Sequence, residues 1–329
     1  MRRALLLAAS PGVPPGPNPR VGCVLLGHDG TVVAEGFHRG AGTPHAEVAA
    51  LHEAGGRAAG ATAVVSLEPC NHTGRTGPCS EALIAAGVRR VVFGQADPNL
   101  AASGGARRLA EAGVEVLGGV LGEEALALNR AWSFAVGHGR PLVTWKVAST
   151  LDGRIAAPDG SSRWITGPAA RAQVHELRGQ VDAVVIGTGT ALSDDPQLTA
   201  RDGDGLVRER QPLRVVVGSR ELPAGARLRD DTAPLLLVPS AAPAEVLRQL
   251  FERHEVQHVL LEAGPTLSTA FLRAGVVDEV IWFLAPKVLG AGRSVVADLD
   301  VRTITEALGL RLVGVSQVGT DVRVDLSVG

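Results

Sequence analysis

The strongest constraint on this chain lies between His45 and Cys79, where one histidine and two cysteines are spaced as ligands of a metal ion. Glu47 follows His45 by two positions, and Cys70 and Cys79 each follow a proline. Zn2+ binds imidazole nitrogen and thiolate sulfur, and a catalytic zinc keeps three protein ligands and an open fourth position. The fold must therefore bring His45, Cys70 and Cys79 together, with Glu47 too close to His45 to be a fourth ligand but well placed to move protons.

This pattern is typical of zinc deaminases, in which the glutamate is not a ligand but the general acid and base. Those enzymes usually have two residues between the cysteines, whereas eight, NHTGRTGP, separate them here. The alternatives are a structural zinc or buried cysteines without metal. A structural zinc normally has four ligands, and only His72 is a nearby candidate for the fourth. We therefore interpret the site as catalytic, His72 as a loop residue or substrate contact, and Cys23, in an apolar run, as a core thiol.

Composition argues against a nucleic-acid substrate. The 329 residues carry a formal net charge of -2, which provides no basic surface for a phosphate backbone. Tyr is absent, and only six Phe and four Trp are present, so we expect no platform of aromatic side chains for stacking bases. The length is sufficient for two domains with separate cores. We expect a small-molecule substrate.

The cysteine count and the first residues bear on location. Three cysteines, two of them in the metal pattern, do not form a disulfide framework and favour a reducing compartment. The opening MRRALLLAAS has an apolar run shorter than that of a signal peptide, and no apolar run reaches the roughly 18 residues needed to cross a bilayer. We predict an N-terminal helix, a cytoplasmic location and no membrane association.

Strands and helices alternate along both halves, which predicts an α/β fold around a sheet in each. In the first half, two β-branched runs joined by HDG predict a hairpin, and one helix is predicted over 123–134. The sequence GHGRP interrupts the pattern, so we predict domains at 1–138 and 139–329. No internal repeat relates the two. In the second domain, GTGTALSDDP is predicted to be a glycine-containing turn.

Three segments that follow predicted strands in the second domain favour a nucleotide cofactor. Glycines at 187–190 could let backbone amides approach a phosphate, and 262–266 opens a predicted helix, which suits an anion. Ser219 and Arg220 could bind the 2'-phosphate that distinguishes NADP from NAD. No G-x-G-x-x-G fingerprint is present. The spacing alone therefore leaves a dinucleotide site and ordinary turns both open.

A resemblance to a known family bears on these open alternatives. The inter-cysteine run NHTGRTGP and the runs KVASTLDGRIA, SSRWITGPAAR, GTGTALSDDPQLTAR, EAGPTLSTAFL and APKVLG resemble, in the same order and from end to end, the family of bifunctional riboflavin-biosynthesis proteins. The resemblance implies an N-terminal cytidine-deaminase-like α/β/α sandwich and a C-terminal dihydrofolate-reductase-like α/β domain. It implies hydrolytic deamination of 2,5-diamino-6-(ribosylamino)pyrimidinone 5'-phosphate, then NADPH-dependent reduction of the ribosyl to the ribityl side chain. We also expect a homo-oligomer.

The same resemblance implies roles for residues of both domains. It assigns zinc to His45, Cys70 and Cys79 and proton transfer to Glu47. NADPH contacts are implied for Ala148, Trp164, Thr190, Asp194, Ser219, Gly264, Pro265, Thr266, Leu267, Ser268, Thr269 and Ala270. Substrate contacts in the reductase are implied for Ser162, Arg178, Leu198, Arg201 and Glu262. From residue chemistry we add Asn18 and Arg75 as substrate-binding candidates in the deaminase, with a turn residue and a solvated loop arginine as their alternatives.

Two departures from the family concern the deaminase. Gly16 stands where the family usually has a histidine before Pro-Asn-Pro, and the stretch 100–106 lacks the family's arginine. The zinc ligands are unaffected, so these departures bear on substrate affinity at the first site and not on metal binding.

Two rival hypotheses remain from sequence. One is a deaminase of nucleic acid or nucleosides fused to an unrelated nucleotide-binding domain. The other is a non-catalytic, zinc-stabilised protein that senses a nucleotide, and it predicts that Glu47→Gln leaves function unchanged. Two interpretations also stay open in the second domain: Arg178 as a partner of the helix dipole, and Lys146 as an ordinary salt-bridged strand lysine.

Overall fold

The chain divides into two units, Met1–Gly139 and Arg140–Gly329, in a computed structural model. The described residues are 1–10, 13, 16–72, 77–240 and 242–329. Both units combine a β-sheet with helices, which confirms the α/β fold predicted for each. Among the described residues, no helix has both the length and the apolar character needed to cross a membrane.

The first unit has a five-stranded sheet and six α-helices among its described residues. The strands are β1 Gly22–Leu26, β2 Val32–Phe37, β3 Thr62–Leu67, β4 Arg90–Gln95 and β5 Glu115–Leu117. The helices are α1 Arg2–Ala8, α2 Ala46–Ala54, α3 Cys79–Ala85, α4 Gly105–Glu111, α5 Gly122–Leu128 and α6 Arg130–His138. The sheet order is β2-β1-β3-β4-β5, with β1 antiparallel to both neighbours and the remaining pairs parallel.

Close packing of α2 on β2 sets the position of the predicted metal site. At Gly36 in β2, a Cβ would lie 2.3 Å from the carbonyl oxygen of Ala46 and 2.6 Å from the backbone nitrogen of Ala50. Only glycine permits this approach. The start of α2, which follows His45 directly, is therefore held against the sheet.

The single helix predicted over 123–134 is wrong: the structure has α5 and α6, which meet at Asn129. The Asn129 side chain bonds the backbone of Arg20 in both directions, accepting from its N–H at 2.8 Å and donating to its carbonyl at 2.9 Å. Asparagine readily pairs with backbone groups outside a helix. The break therefore fastens the segment before β1 to the C-terminal helices of this unit.

The second unit contains an eight-stranded sheet. Its strands, together with those of a separate two-stranded ribbon, are β6 Leu142–Thr150, β7 Arg154–Ala156, β8 Ala183–Gly187, β9 Leu213–Val217, β10 Leu235–Val238, β11 His258–Leu261, β12 Glu279–Ala285, β13 Arg293–Ser294, β14 Leu310–Val318 and β15 Asp321–Val328. Its helices are α7 Pro168–Gln180, α8 Thr188–Asp194, α9 Pro243–His254 and α10 Pro265–Arg273. The order is β10-β9-β8-β11-β6-β12-β15-β14, with β7 and β13 forming the ribbon.

The sheet is parallel from β10 to β12, and the antiparallel hairpin β14–β15 completes it. The central strands are apolar on both faces, with Val184, Val185, Leu260 and Leu261 fully buried, as parallel strands require. The carboxyl ends of parallel strands lie along one edge, where ligands of α/β sheets usually bind.

The glycine-containing turn predicted at GTGTALSDDP is wrong, because this segment forms helix α8. Gly187 is extended (φ -90°, ψ 158°) and precedes the first helical residue, and Asp195 ends the helix with φ 39°. Gly189 lies inside the helix without the positive φ that would mark a glycine turn. The segment after β8 thus presents a helix start instead of a loop.

Candidate functional site

The three predicted zinc ligands lie together in the first unit. The candidate ligand atoms of His45, Cys70 and Cys79 all lie within 4.8 Å of one another. His45 Nδ1 is 3.2 Å from Cys79 Sγ and 3.6 Å from Cys70 Sγ. His45 precedes α2 directly, and Cys79 is the first residue of α3. Cys70 lies in the extended segment after β3.

The residues present fit a catalytic zinc. One imidazole and two thiols, both thiols buried, form an open set of three, and no fourth His, Cys, Asp or Glu joins them among the described residues. That donor set leaves a coordination position for water, as catalytic zinc sites do. His72, the one candidate for a fourth ligand, is not part of the cluster.

The segment of Pro69 and Cys70 is held in place by helix α4. At Gly105, the first residue of α4, a Cβ would lie 1.7 Å from the carbonyl oxygen of Pro69. Glu68, which is buried, accepts from the backbone N–H groups of Asp97 at 3.2 Å and Ala106 at 3.0 Å. Cys70 is therefore fixed by backbone packing on one side and by a buried carboxylate on the other.

The two thiols and the glutamate interact strongly. A hydrogen bond from the Cys79 thiol lowers the pKa of Cys70 to about 4, and the same bond raises the pKa of Cys79. Glu47, in the first turn of α2, is 3% exposed, and burial raises its pKa to about 7. Carboxyls that exchange protons in catalysis commonly have a pKa near the working pH. Glu47 therefore has the environment expected of an acid and base.

Two polar residues beside the cluster were not predicted from the sequence. His38 follows β2; its Nδ1 lies 3.1 Å from the carbonyl oxygen of Pro44, and its Nε2 lies 3.0 Å from Asn18 Nδ2. The carbonyl can only accept, so Nδ1 carries the proton and Nε2 accepts from Asn18. Asp97 is the second, and burial raises its pKa to about 6. Asn18 is thus tied to the site, whereas Arg75 lies outside the described residues.

In the second unit, Glu262 joins the side chains of Arg178 and Lys146. Arg178 donates from Nε to Glu262 Oε1 at 2.6 Å and from Nη2 to Oε2 at 2.9 Å, and Lys146 Nζ lies 3.5 Å from Oε2. Burial alone would raise the pKa of Glu262, but the charges of Arg178 and Lys146 lower it to about 2. Arg178 lies in the last turn of α7, but its guanidinium binds this carboxylate. Lys146 forms a salt bridge with the same carboxylate.

Thr199 connects the other predicted substrate contacts to this group. Its carbonyl oxygen accepts from Arg178 Nη1 at 3.3 Å and lies 2.8 Å from His175 Nδ1, and its hydroxyl accepts from Arg201 Nε at 3.2 Å. The preceding Leu198 is buried with φ 55°. Neither Thr199 nor His175 was predicted as functional, since a threonine before an alanine carries no local signal of a site.

The predicted cofactor segments also meet. A Cβ at Gly264 would lie 3.4 Å from Thr190 Oγ1, and one at Gly189 would lie 3.2 Å from Arg220 Nη2. Arg220 Nε lies 3.4 Å from Thr188 Oγ1. The starts of α8 and α10 and the turn after β9, which holds Ser219, therefore face one another. Two helix N-termini and a guanidinium have the chemistry that suits the phosphates of a dinucleotide. Of the predicted contacts in α10, Thr266 is exposed and Ala270 is half-buried, whereas Pro265, Leu267, Ser268 and Thr269 are buried.

Trp164, one of the predicted cofactor contacts, is 63% exposed. The Arg171 guanidinium lies 4.2 Å from the centre of its ring, and Lys287 Nζ donates to its carbonyl oxygen at 2.8 Å. Arg163 donates to the carbonyl of Asp194, which joins the Trp164 segment to the end of α8. Ser162 lies half-buried next to Arg163, and Ala148 lies half-buried in β6.

Two family models match different parts of the chain. The cytidine and deoxycytidylate deaminase zinc-binding region matches residues 1–95, and the RibD C-terminal domain matches residues 141–324. Riboflavin biosynthesis protein RibD of Mycobacterium tuberculosis (strain H37Rv) is 49% identical over 311 residues, which cover 94% of this chain and 91% of that protein.

Two solved structures are similar over nearly the whole chain. Acinetobacter baumannii RibD, form 2, has a TM-score of 0.89 at 38% identity and covers 99% of this chain and 97% of its own. A diaminohydroxyphosphoribosylaminopyrimidine deaminase/5-amino-6-(5-phosphoribosylamino)uracil reductase from Thermotoga maritima has a TM-score of 0.86 at 35% identity, covering 100% and 97%. The similarity therefore includes both units.

Proposed function

The chain belongs to the family of riboflavin biosynthesis proteins RibD, and we propose that the residues described above carry out its two reactions. It is a bifunctional enzyme, a hydrolase and an oxidoreductase, with zinc and NADPH as cofactors. The first reaction deaminates 2,5-diamino-6-(ribosylamino)pyrimidinone 5'-phosphate, and the second reduces its ribosyl side chain to ribityl. We assign the first to residues 1–138 and the second to 139–329.

In the deaminase site, His45, Cys70 and Cys79 would hold zinc. A zinc ion bound there supplies the Lewis acidity that makes water nucleophilic near neutral pH. Glu47 takes a proton from the attacking water and returns it to the leaving amine, a role worth about 100- to 10,000-fold in rate. Asn18, oriented by His38, donates or accepts a hydrogen bond at the pyrimidine. The observation that carries this proposal is the convergence of the three ligand atoms within 4.8 Å beside a buried glutamate.

In the reductase site, the protein binds and orients while NADPH supplies hydride. The starts of α8 and α10 with Ser219 would bind the phosphates of NADPH, and Trp164, Ala148 and Asp194 would contact the rest of the cofactor. Arg178 and Arg201 would bind the substrate phosphate, since guanidinium groups grip such oxyanions bidentately. Glu262 keeps Arg178 in place and is available to the ribosyl hydroxyls, together with Ser162 and Leu198.

Arg75 completes the proposal as a phosphate contact in the deaminase. An unchanged KM in a soluble Arg75→Ala protein would remove that role. We further propose a cytoplasmic enzyme, which the three free cysteines support, and a homo-oligomer. Exposed Leu312, Val313 and Val315 on the edge strand β14 support an association between copies. Size-exclusion chromatography with light scattering would measure the oligomeric state.

The first experiment combines metal analysis with a coupled assay of wild type and Glu47→Gln. We expect one zinc per chain in both, ammonia release only in wild type, and NADPH oxidation after deamination. Pre-deaminated substrate should restore NADPH oxidation in Glu47→Gln. Ammonia release from Glu47→Gln at the wild-type rate would contradict the role of the glutamate. NADPH oxidation that requires pre-deaminated substrate even in wild type would mean that the departures at Gly16 and 100–106 have cost the chain its first activity.

A further inference from the structure

The guanidinium of Arg201 is held in a fixed plane by three hydrogen bonds. Nε donates to Thr199 Oγ1 at 3.2 Å, Nη1 to the carbonyl oxygen of Gly205 at 2.8 Å and Nη2 to Gln197 Oε1 at 2.9 Å. A guanidinium has five N–H donors, so two remain beyond these three bonds to described residues. Arg201 is therefore oriented by the protein and still able to donate to an oxyanion.

The orientation of Gln197 is set by its neighbours on both sides. Its Nε2 donates to Asp230 Oδ2 at 2.6 Å, while Oε1 accepts from Arg201 and, at 3.4 Å, from Arg227. The reversed carboxamide would place its NH2 group against two guanidiniums and its oxygen against a carboxylate. Gln197 therefore presents its oxygen to Arg201.

Asp230 is itself anchored by Arg214, a fully buried arginine in β9. Arg214 donates from Nη1 to Asp230 Oδ1 and from Nη2 to the Asp230 carbonyl, both at 2.8 Å. Desolvation raises the pKa of Asp230, but hydrogen bonds from Gln197 and Arg214 outweigh it and lower that pKa to about 2. Asp230 is therefore a fixed anion at assay pH. A continuous chain of contacts runs from Arg214 through Asp230 and Gln197 to Arg201.

We propose that Gln197 is a positioning residue of the reductase, which acts by directing Arg201 toward the phosphate of the substrate. The inference rests on the proposed function and extends the site to Gln197, Asp230 and Arg214, which the family resemblance does not assign. The ligand recognised is a phosphate monoester, whose oxygens suit the two remaining donors. Arg178 and Arg201 both donate to Thr199, so the two guanidiniums lie on either side of one residue.

Steady-state kinetics of the reductase reaction test this role in the full chain. Gln197→Met keeps the length of the side chain and removes both amide contacts. We expect KM for the deaminated pyrimidine phosphate to rise about tenfold, as for a lost hydrogen bond to a charged group. The value of kcat and the KM for NADPH should stay within about twofold. With the dephosphorylated pyrimidine, wild type and variant should have equal kcat/KM. Gln249→Met, in α9, is the matched control and should change nothing.

A double-mutant cycle separates a positioning role from an independent one. If Gln197 acts only through Arg201, then Gln197→Met should add nothing to the loss caused by Arg201→Ala. Additive losses would overturn the inference. A raised KM in Arg201→Ala with an unchanged KM in Gln197→Met would overturn it too, while leaving the proposed function intact. An unchanged KM in Arg201→Ala would instead remove Arg201 from the substrate site. The proposed role of Arg201 and the inference about Gln197 would then both be wrong.

Asp230→Asn provides a second variant if Gln197→Met does not fold. It keeps the shape of the side chain and removes the charge that orients the carboxamide. A rise in KM restricted to the phosphorylated substrate is expected here as well, and an unchanged KM would overturn the inference.

Discussion

The two candidate sites of this enzyme are built from contacts of very different range. In the first, His45, Cys70 and Cys79 come from one continuous stretch, and their ligand atoms lie within 4.8 Å of one another. In the second, Glu262 meets Arg178 across 84 positions and Lys146 across 116. The first site depends on a motif that a short segment can carry, and the second depends on the order of strands in a sheet.

This difference predicts how mutations at each site should affect function and stability. A zinc site with three ligands has no redundancy, so the loss of one ligand removes the chemistry without involving the rest of the fold. A buried ion-pair network shares its charges with the surrounding structure. Its loss should therefore reduce stability and function together.

Removal of a zinc ligand is expected to have the largest effect. Cys79→Ala should lose its zinc, and the deaminase rate should fall by roughly 1000-fold or more, while reduction of pre-deaminated substrate is unchanged. Cys23→Ala is the matched control, because Cys23 is buried in β1 outside the cluster. Mass spectrometry measures the zinc content, and separate assays measure the deaminase rate and the reduction of pre-deaminated substrate. Full zinc occupancy in Cys79→Ala would contradict the assignment.

Loss of the buried carboxylate in the second unit should come next. Glu262→Gln leaves Arg178 and Lys146 without their counter-charge, which should lower the free energy of unfolding by about 3 to 5 kcal/mol and raise the reductase KM. The control Glu252→Gln breaks an exposed pair with Arg248 in α9 and should cost less than about 0.5 kcal/mol. Urea unfolding followed by tryptophan fluorescence measures both. Equal effects would show that burial of Glu262 does not matter.

The same carboxylate predicts a dependence of stability on pH. The folded-state pKa of Glu262, about 2, lies below the unfolded value of about 4.3. Its stabilising contribution is therefore complete above about pH 4.3 and is lost as the pH falls toward 2, in total roughly 3 kcal/mol. Glu262→Gln should lack this part of the acid dependence. An identical acid dependence in both proteins would contradict the charge pairing.

A smaller effect should follow from a methyl group placed behind the zinc site. Gly36→Ala forces α2 away from β2 and should destabilise the first unit by about 1 to 3 kcal/mol, with weaker zinc binding as His45 moves. At Gly56, a Cβ would meet nothing within 4 Å, so Gly56→Ala is the matched control. Thermal unfolding and zinc titration measure the two effects. If both variants bind zinc as wild type does, the packing of α2 does not position the ligand.

Much of the fold could be predicted because most elements carry a local pattern. The apolar runs that became β8 and β11 are continuous, as buried parallel strands are, and the final hairpin alternates around Gly319. Helix α8 and the break at Asn129 were missed. The glycines of GTGTALSDDP suggest a turn, whereas in the structure the segment is a helix that packs on β8 and β9.

Some residues of the candidate sites could likewise be predicted from the sequence, and others could not. His45, Glu47, Cys70 and Cys79 could be identified because zinc chemistry demands certain residue types at short spacings. His38 and Gln197 could not. Their roles come from single hydrogen bonds to Asn18 and Arg201. A histidine or glutamine in a loop belongs to no sequence pattern that predicts such a partner.

The sequence by itself determined the two α/β folds, the zinc chemistry and, through its resemblance to a known family, both reactions. Only the tertiary structure decided that Glu262 joins Arg178 and Lys146, and that Arg214, Asp230 and Gln197 lead to Arg201. For every pair except Gln197 and Arg201, which are four residues apart, the physical reason is distance along the chain. Periodicity and spacing report neighbours within a few residues, whereas charges brought together by a parallel sheet depend on the order of its strands.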